Sequence, residues 1–352
     1  MFKDTMKKIL LVLIGAMLVV STGFAQIVEK GEPAMVYYSP KTSIMLDFTY
    51  TVEKMEKGVY AEYAQSLLGI SDVVTEDKTT YTLKDVRICT SATADIARPH
   101  KIAFDPAIPM LLNINEKGLL VGYNTTPQNK KKDTHQTNSR HSTGSNDRFK
   151  KAPYPEEVLK AATPKAQAQA AAQQIFHIRE TRMYLINGEV EHAPADGEAM
   201  RIVFEELEKQ ENALISLFTG KKSKRTEHKR VSFDPQAKDQ KWYFSPENGF
   251  TDAENIDAEV ISADVILYPQ RYTASIEDPK NKKKTVVSQI VYNLPGSGDV
   301  KVVYNGKTLK KQTVSIAQIG VDVPLAKDLF TGKDLPSIVF NEKTGNIESI
   351  TK

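Results

Sequence analysis

Six histidines, one cysteine and 44 acidic residues are the groups in this chain that could do acid–base, nucleophilic or metal chemistry. His100, His135, His141, His177, His192 and His228 form no His-x-His or His-x-x-x-His pair, the spacings that place two imidazoles on one metal. His135 and His141 fall in a polar stretch and read as solvated side chains. His177 stands between Phe176 and Ile178 on an expected helix and reads as structural. Asp252, Glu254, Asp257 and Glu259 could collect calcium, but the run lacks the glycine and ligand spacing of a calcium loop and reads as an exposed turn. Pro295-Gly296-Ser297-Gly298-Asp299 lacks the Lys-Ser/Thr that completes a phosphate loop, so a hairpin turn is expected there. Cys89, within Val86-Arg87-Ile88-Cys89-Thr90, is expected to be a small buried hydrophobe of a strand. No Gly-x-Ser-x-Gly elbow is present, and nothing nominates a glycosidase carboxylate pair among so many acids. The sequence therefore names no catalytic, cofactor or metal residue. Tyr37, Tyr38, Trp242 and Tyr243 could form an aromatic platform for a sugar or peptide, or anchor cores on adjacent strand faces.

The elements that would position these groups are mostly strands. Ile44, Leu46, Phe48, Tyr50 and Val52 alternate with Ser43, Asp47, Thr49 and Thr51, the period of a half-buried antiparallel strand. A short helix over about 59–68, closed by Gly69, precedes a second strand over 79–90. The apolar phase of that strand slips between Leu83 and Val86, which predicts a bulge. Asn115-Glu116-Lys117-Gly118 predicts a hairpin turn between strands near 110–114 and 119–123. Thr163-Pro164 caps a helix reaching about 186, with Ile175, Ile178 and Met183 on its apolar side. Met200, Val203, Phe204, Leu207, Leu214 and Phe218 form the seam of a second helix, stopped at Gly220. After a basic turn (Lys221, Lys222, Lys224, Arg225), short strands and turns run to the C-terminus. The expected class is α+β, mainly β: two antiparallel β lobes (sandwich or partly open barrel) with a central helical hairpin. In domain terms these are a leader over 1–25, an N-terminal β lobe over 26–126, a basic linker over 127–152, the hairpin over 153–220 and a C-terminal β lobe over 221–352.

One internal echo stands out. Phe104-Asp105-Pro106 followed by Asn115-Glu116-Lys117-Gly118 returns as Phe233-Asp234-Pro235 followed by Pro246-Glu247-Asn248-Gly249. The turn recurs again as Asn341-Glu342-Lys343-Thr344-Gly345. Duplication of a β lobe and independent use of good hairpin residues both account for it.

Charge and address narrow the function classes. Residues 127–152 hold seven Lys/Arg against two Asp, so the formal +3 of the chain is local and the body is net acidic, which argues against a nucleic-acid partner. Lys3, Lys7 and Lys8, an uncharged run from Ile9 to Val20 and the small residues before Ala25 are the three parts of a secretory signal, with cleavage expected after Ala25. Twelve helical residues rise about 18 Å against a hydrocarbon core of about 30 Å, so a permanent transmembrane anchor is not expected, while peripheral membrane association is compatible. A lone cysteine excludes an internal disulfide framework.

With these segments in view, the chain resembles an uncharacterised family of exported proteins from Bacteroidota, a domain of unknown function. The resemblance is carried by Val36-Tyr37-Tyr38-Ser39-Pro40-Lys41-Thr42, Gly58-Val59-Tyr60-Ala61-Glu62-Tyr63-Ala64, Leu68-Gly69-Ile70-Ser71-Asp72-Val73, Ile175-Phe176-His177-Ile178-Arg179-Glu180-Thr181-Arg182 and Leu217-Phe218-Thr219-Gly220. It implies a Gram-negative envelope and the periplasm, and transfers no active site. The expected function is a non-enzymatic binding or interaction protein contacting another envelope protein or a polymer. A periplasmic hydrolase of envelope carbohydrate or peptide, and a secreted adhesin or fimbria-like subunit, are the alternatives.

Overall fold

A computed structural model describes residues 34–103, 112–125, 156–189, 197–252, 258–271, 290–325, 329 and 334–352. The leader, the 127–152 stretch, His135, His141, His192, Phe104-Asp105-Pro106, Glu254 and Asp257 lie outside the described residues.

Strand β1 (Ala34–Glu56) carries the alternating pattern and is 23 residues long. Antiparallel partners flank it: β2 (Lys78–Ala103) on one side and β5 (Lys221–Phe233) on the other. The expected bulge is present, since Thr49 faces Asp85 and Tyr50 faces Leu83, leaving Lys84 without an opposite residue. Two short hairpin strands, β3 (Leu112–Ile114) and β4 (Leu120–Tyr123), follow. Downstream of β5 come β6 (Gln240–Ser245), β7 (Gly249–Thr251), β8 (Glu259–Tyr268), β9 (Val291–Tyr304), β10 (Lys307–Pro324), β11 (Ser337–Phe340) and β12 (Ile347–Thr351). They complete a five-stranded sheet, β10-β9-β8-β6-β7, and a four-stranded one, β12-β11-β4-β3.

The fold class is α+β and mainly β, with antiparallel pairing in all three sheets and no closed barrel among the described residues. Strands that precede and follow the helices share sheets: β5 pairs with β1, and β11 with β4. Among the described residues before the helices, β2 is the strand that pairs with β1 in its sheet, and β5 takes the other side.

Two corrections concern turns. The basic residues Lys221 to Arg225 do not form a turn but begin β5, paired with Val52–Glu56. Pro295-Gly296 lies inside β9, where Gly296 faces Ile316 and Leu294 faces Val321. Proline has no N–H for the ladder, so pairing breaks at Pro295 and residues 317–320 of β10 loop out. Contacts across the sheets hold this stretch instead. Ala317 N donates to Thr42 Oγ1 at 2.9 Å, and Gln318 exchanges side-chain bonds with Thr42 N and O, each 2.9 Å.

The main core is a sandwich. Ile44, Leu46, Phe48, Val86, Ile88 and Phe233 of the three-stranded sheet face Phe244, Ile261, Val300, Val302, Val314 and Ile316 of the five-stranded sheet. Burial of each such side chain contributes about 1.5–3 kcal/mol. A second cluster, with Tyr37, Ile102, Tyr123, Ile338 and Phe340, fills the space under the four-stranded sheet.

The helices form their own cluster. After a turn of 3-10 helix (Ala61–Tyr63), α1 (Ala64–Leu68) ends at Gly69. Short α2 (Glu156–Lys160) is followed by α3 (Pro164–Asn187), whose Thr163 hydroxyl accepts from Ala166 N at 3.2 Å, and by α4 (Gly197–Thr219). Ile175, Ile178, Leu214 and Phe218 are buried between α3 and α4, but Met183, expected on the apolar side, is 55% exposed. Buried Glu211 accepts from Arg179 Nε at 2.7 Å and faces Arg182 at 2.9 Å. Gly58 and Gly220 press backbone on backbone where helices meet sheet: a Cβ on Gly58 would lie 2.5 Å from Leu217 O.

Candidate functional site

The outward face of the three-stranded sheet is polar because the alternation that sends Leu46 and Phe48 inward sends Met45, Asp47 and Thr49 outward. Register places Arg87 of β2 and Arg230 of β5 on either side of Asp47. Both guanidiniums converge on one oxygen, with Arg87 donating to Asp47 Oδ2 at 2.8 Å and Arg230 at 3.2 Å. His228 Nδ1 lies 3.9 Å from Asp47 Oδ1 and 3.2 Å from Thr49 Oγ1. Burial pushes the Asp47 carboxyl upward, but the two arginines outweigh it and hold the group below the usual carboxylate range. The Asp47 side chain is 10% exposed, against 58% for Arg87 and 45% for Arg230, so the guanidiniums keep donors facing water.

Above this floor opens a groove of about 330 Å³, walled by Cys89, Thr90, Ser91, Lys117, Glu342 and Lys343. Its two lysines come from the repeated turn. In Asn115-Glu116-Lys117-Gly118 and in Asn341-Glu342-Lys343-Thr344-Gly345, the asparagine Oδ1 accepts from the lysine backbone N, at 3.0 and 2.9 Å. Gly118 (φ 79°) and Gly345 (φ 75°) take the left-handed conformation that closes each turn. The second turn is fixed from below by buried Asn293, which donates to Ala317 O at 3.0 Å and Thr344 O at 2.9 Å. Four cationic side chains thus surround two carboxylates, Asp47 and Glu342. This arrangement can hold an anion by charge-assisted hydrogen bonds.

Cys89 corrects the sequence reading. It faces Met45 on the outward side and is half-buried in the groove wall, because Val86 and Ile88 take the inward positions. The aromatic residues are not brought together. Tyr37 is 2% exposed in the core under the four-stranded sheet, its hydroxyl donating to Val291 O at 2.8 Å and accepting from Val291 N at 2.7 Å. Tyr38, half-buried beside it, donates its backbone N–H to Gly118 O at 2.9 Å, tying the first turn to β1. Trp242 packs against the sandwich core with its ring 6.0 Å from Phe48 and 5.8 Å from Phe233. Tyr243 is the next residue of β6, so its side chain points to the other face of the sheet.

A second polar cluster joins β1, β2 and β10. Ser39 Oγ is 2.7 Å from His100 Nε2 and donates to both oxygens of Asp322 at 3.1 Å. Arg98 approaches Asp322 at 3.6 Å and pairs with Asp95 at 2.9 Å. Ser39 thus bridges the imidazole and the carboxylate. Asp322 also faces Nε2, at 3.6 Å, whereas a catalytic carboxylate orients the opposite ring nitrogen. Ser39 is 4% exposed. The cluster is built as a clasp between β1, β2 and β10. His177 is exposed on α3, and Glu259 accepts from Asn305 Nδ2 at 2.6 Å. Among the described residues no group of three His, Cys, Asp or Glu side chains could hold a metal ion, and no helix is long and apolar enough to cross a membrane.

Fold and site together define an α+β, mainly β protein with an open, cation-rich groove on a polar sheet face. The chain belongs to the family described as Domain of unknown function (DUF4831), whose model matches residues 34–348. Comparison with curated proteins and with solved structures finds no match.

Proposed function

We propose that the protein is exported to the periplasm of a Bacteroidota cell and acts there as a non-catalytic binding protein of the cell envelope, holding an acidic partner in the groove over Asp47. The observation that carries this reading is the convergence of Arg87, Arg230, Lys117 and Lys343 on one open cleft whose floor is polar. The leader-like residues 1–25 support the address. Recognition of this kind works by surface complementarity and weakens with salt.

The test uses the mature chain from residue 26 and a fluorescent glutamate-rich peptide. Binding should weaken at least tenfold in Arg87→Ala/Lys117→Ala and fall as salt rises. Alkylation of Cys89, the only thiol in the chain, should block it. Unchanged binding in the double variant and after alkylation would discard the groove, and precursor retained in the cytosol on fractionation would discard the address.

The hydrolase reading would have to rest on the contact of Ser39 with His100 and Asp322, whose burial and carboxylate placement fit a clasp better than a nucleophile. Its test is turnover of envelope peptides or glycans that disappears in Ser39→Ala while the fold survives.

A further inference from the structure

The edges of the three sheets are not alike. Strands β3 and β7 have three residues each and β12 has five, too short to template much pairing. The long edge strands β2 and β10 each lose register twice. Strand β5 is the exception. It lies at the edge of its sheet and runs for 13 residues, and it pairs with β1 from Lys221 to Phe233 without a single register shift. Ten of its residues are exposed. Along the side with which no strand pairs among the described residues, a row of backbone N–H and C=O groups therefore extends for about 40 Å.

Edges this regular are usually blunted by bulges, proline or shortness, and β5 has none of the three. It carries charge instead. Lys221, Lys222, Lys224, Arg225, Lys229 and Arg230 stand against a single acid of its own, Glu227. Three acids from other elements reach this strand: Glu53 to Lys224, Asp72 to Lys222 and Asp47 to Arg230. With Lys221 set aside, five cations against these four acids still leave the edge positive among the described residues. A second copy of β5 would bring like charges opposite one another, so this edge rejects its own kind. An extended acidic segment meets the opposite situation. Its carboxylates match the lysines and arginines, and its backbone matches the unpaired ladder. Anionic glycans could satisfy the charge, but they lack alternating amide donors and acceptors at strand spacing.

We infer that the free edge of β5 takes an extended, glutamate-rich segment of another protein as an added strand, running beside the groove into which Arg230 projects. This rests on the proposal that the basic sheet face binds an acidic partner, and it names that partner as a peptide chain in β conformation.

The experiment compares three ten-residue peptides on the mature chain by anisotropy: alternating Glu and Val, the same peptide N-methylated at every second residue, and alternating Lys and Val. The first should bind, the second should bind at least tenfold more weakly at identical charge, and the third should not bind. Hydrogen exchange of the complex should slow at amides within Ser223–Lys229. Lys229→Glu, an exposed change, should weaken binding of the first peptide severalfold with melting unchanged. Equal binding of methylated and unmethylated acidic peptides would overturn strand addition while leaving charge-driven docking in place. Failure of both acidic peptides to bind would overturn the inference and the basic-face reading together.

Discussion

Asp47 is a carboxylate placed inside a site proposed to bind carboxylates, so its removal should act on stability and on affinity in opposite directions. The substitution is Asp47→Asn, which keeps the shape and removes the charge. Two charge-assisted bonds, at 2.8 and 3.2 Å, are weakened. Each would be worth about 1.5–3 kcal/mol if its donor were left stranded. Both donors belong to side chains about half exposed, and water takes over their hydration, so the net loss should be about 1–2 kcal/mol. The melting temperature should fall by about 2–5 °C. An anion on the far side of either guanidinium sits about 6 Å from the Asp47 charge, twice a contact distance. Repulsion over that gap is about 0.7 kcal/mol in bulk-like water and about 2.8 kcal/mol at an effective dielectric of 20. Relief of it should tighten a glutamate-rich peptide by about threefold to about a hundredfold, nearer the lower figure because the arginines face solvent. The assay pairs thermal melting with peptide titration at low and physiological salt. A variant that is less stable and also binds no tighter would show that anions do not engage Arg87 and Arg230, and the groove reading would fall.

Other expectations concern the parts that hold the site. Glu211→Ala leaves Arg179 and Arg182 without their shared carboxylate between α3 and α4 and should cost about 2–3 kcal/mol, read by chemical denaturation. Gly220→Ala places a Cβ 2.3 Å from Glu56 O at a φ of 78°, where strain and clash add, and should destabilise by about 3 kcal/mol or more; a soluble variant melting like wild type would contradict this packing. Burial, opposed by Asp322 and reinforced by Arg98, holds the His100 imidazole below its ordinary pKa of 6.5, with the Tyr37 ring tilted against it at 5.0 Å. The unfolded chain therefore binds the proton more readily, and stability should fall as pH drops from about 7 through 6.5 towards the depressed folded value. In His100→Gln that part of the pH slope should vanish, and an unchanged slope would assign acid sensitivity elsewhere.

Much of the sheet was legible because its physics is local. The alternation in Ile44–Val52 fixed which face of β1 would be buried, and the phase slip after Leu83 located the bulge at Lys84. Thr163-Pro164 marked the start of α3, which Gly188 closes in the left-handed conformation. What could not be read was long-range. Nothing within Lys221–Arg225 says that these residues pair with Val52–Glu56 rather than turn, because isolated basic residues suit either state. Met183 lies in phase with Ile175 and Ile178, yet α4 does not cover it. The groove was not legible: Asp47 fell on the outward parity of β1, but Cys89, which shares the parity of Arg87, was expected inside, and the echoed asparagine turns showed two lysines without showing that they meet. Their convergence depends on β4 pairing with β11, a contact 213 residues apart in the Ser337–Asn124 hydrogen bond that accompanies it.

That convergence bears on how the site would work. The turns bearing Lys117 and Lys343 are held by asparagine caps and by buried Asn293, and β1 is locked to β10 through Thr42 and the Ser39 clasp. Walls built this way need little rearrangement to admit a ligand, so little ordering entropy opposes binding from the protein side. Asp47 supplies the opposing term: it already occupies one face of each arginine, and an incoming carboxylate gains only the remaining donors. Affinity should then arise less from any one contact than from an extended partner that engages groove and β5 edge together, where each attachment raises the effective concentration of the next. Short anions should bind weakly and release at physiological salt, whereas a long acidic strand should persist. A monomeric dicarboxylate that bound as tightly as a ten-residue acidic peptide would refute this division of labour between groove and edge.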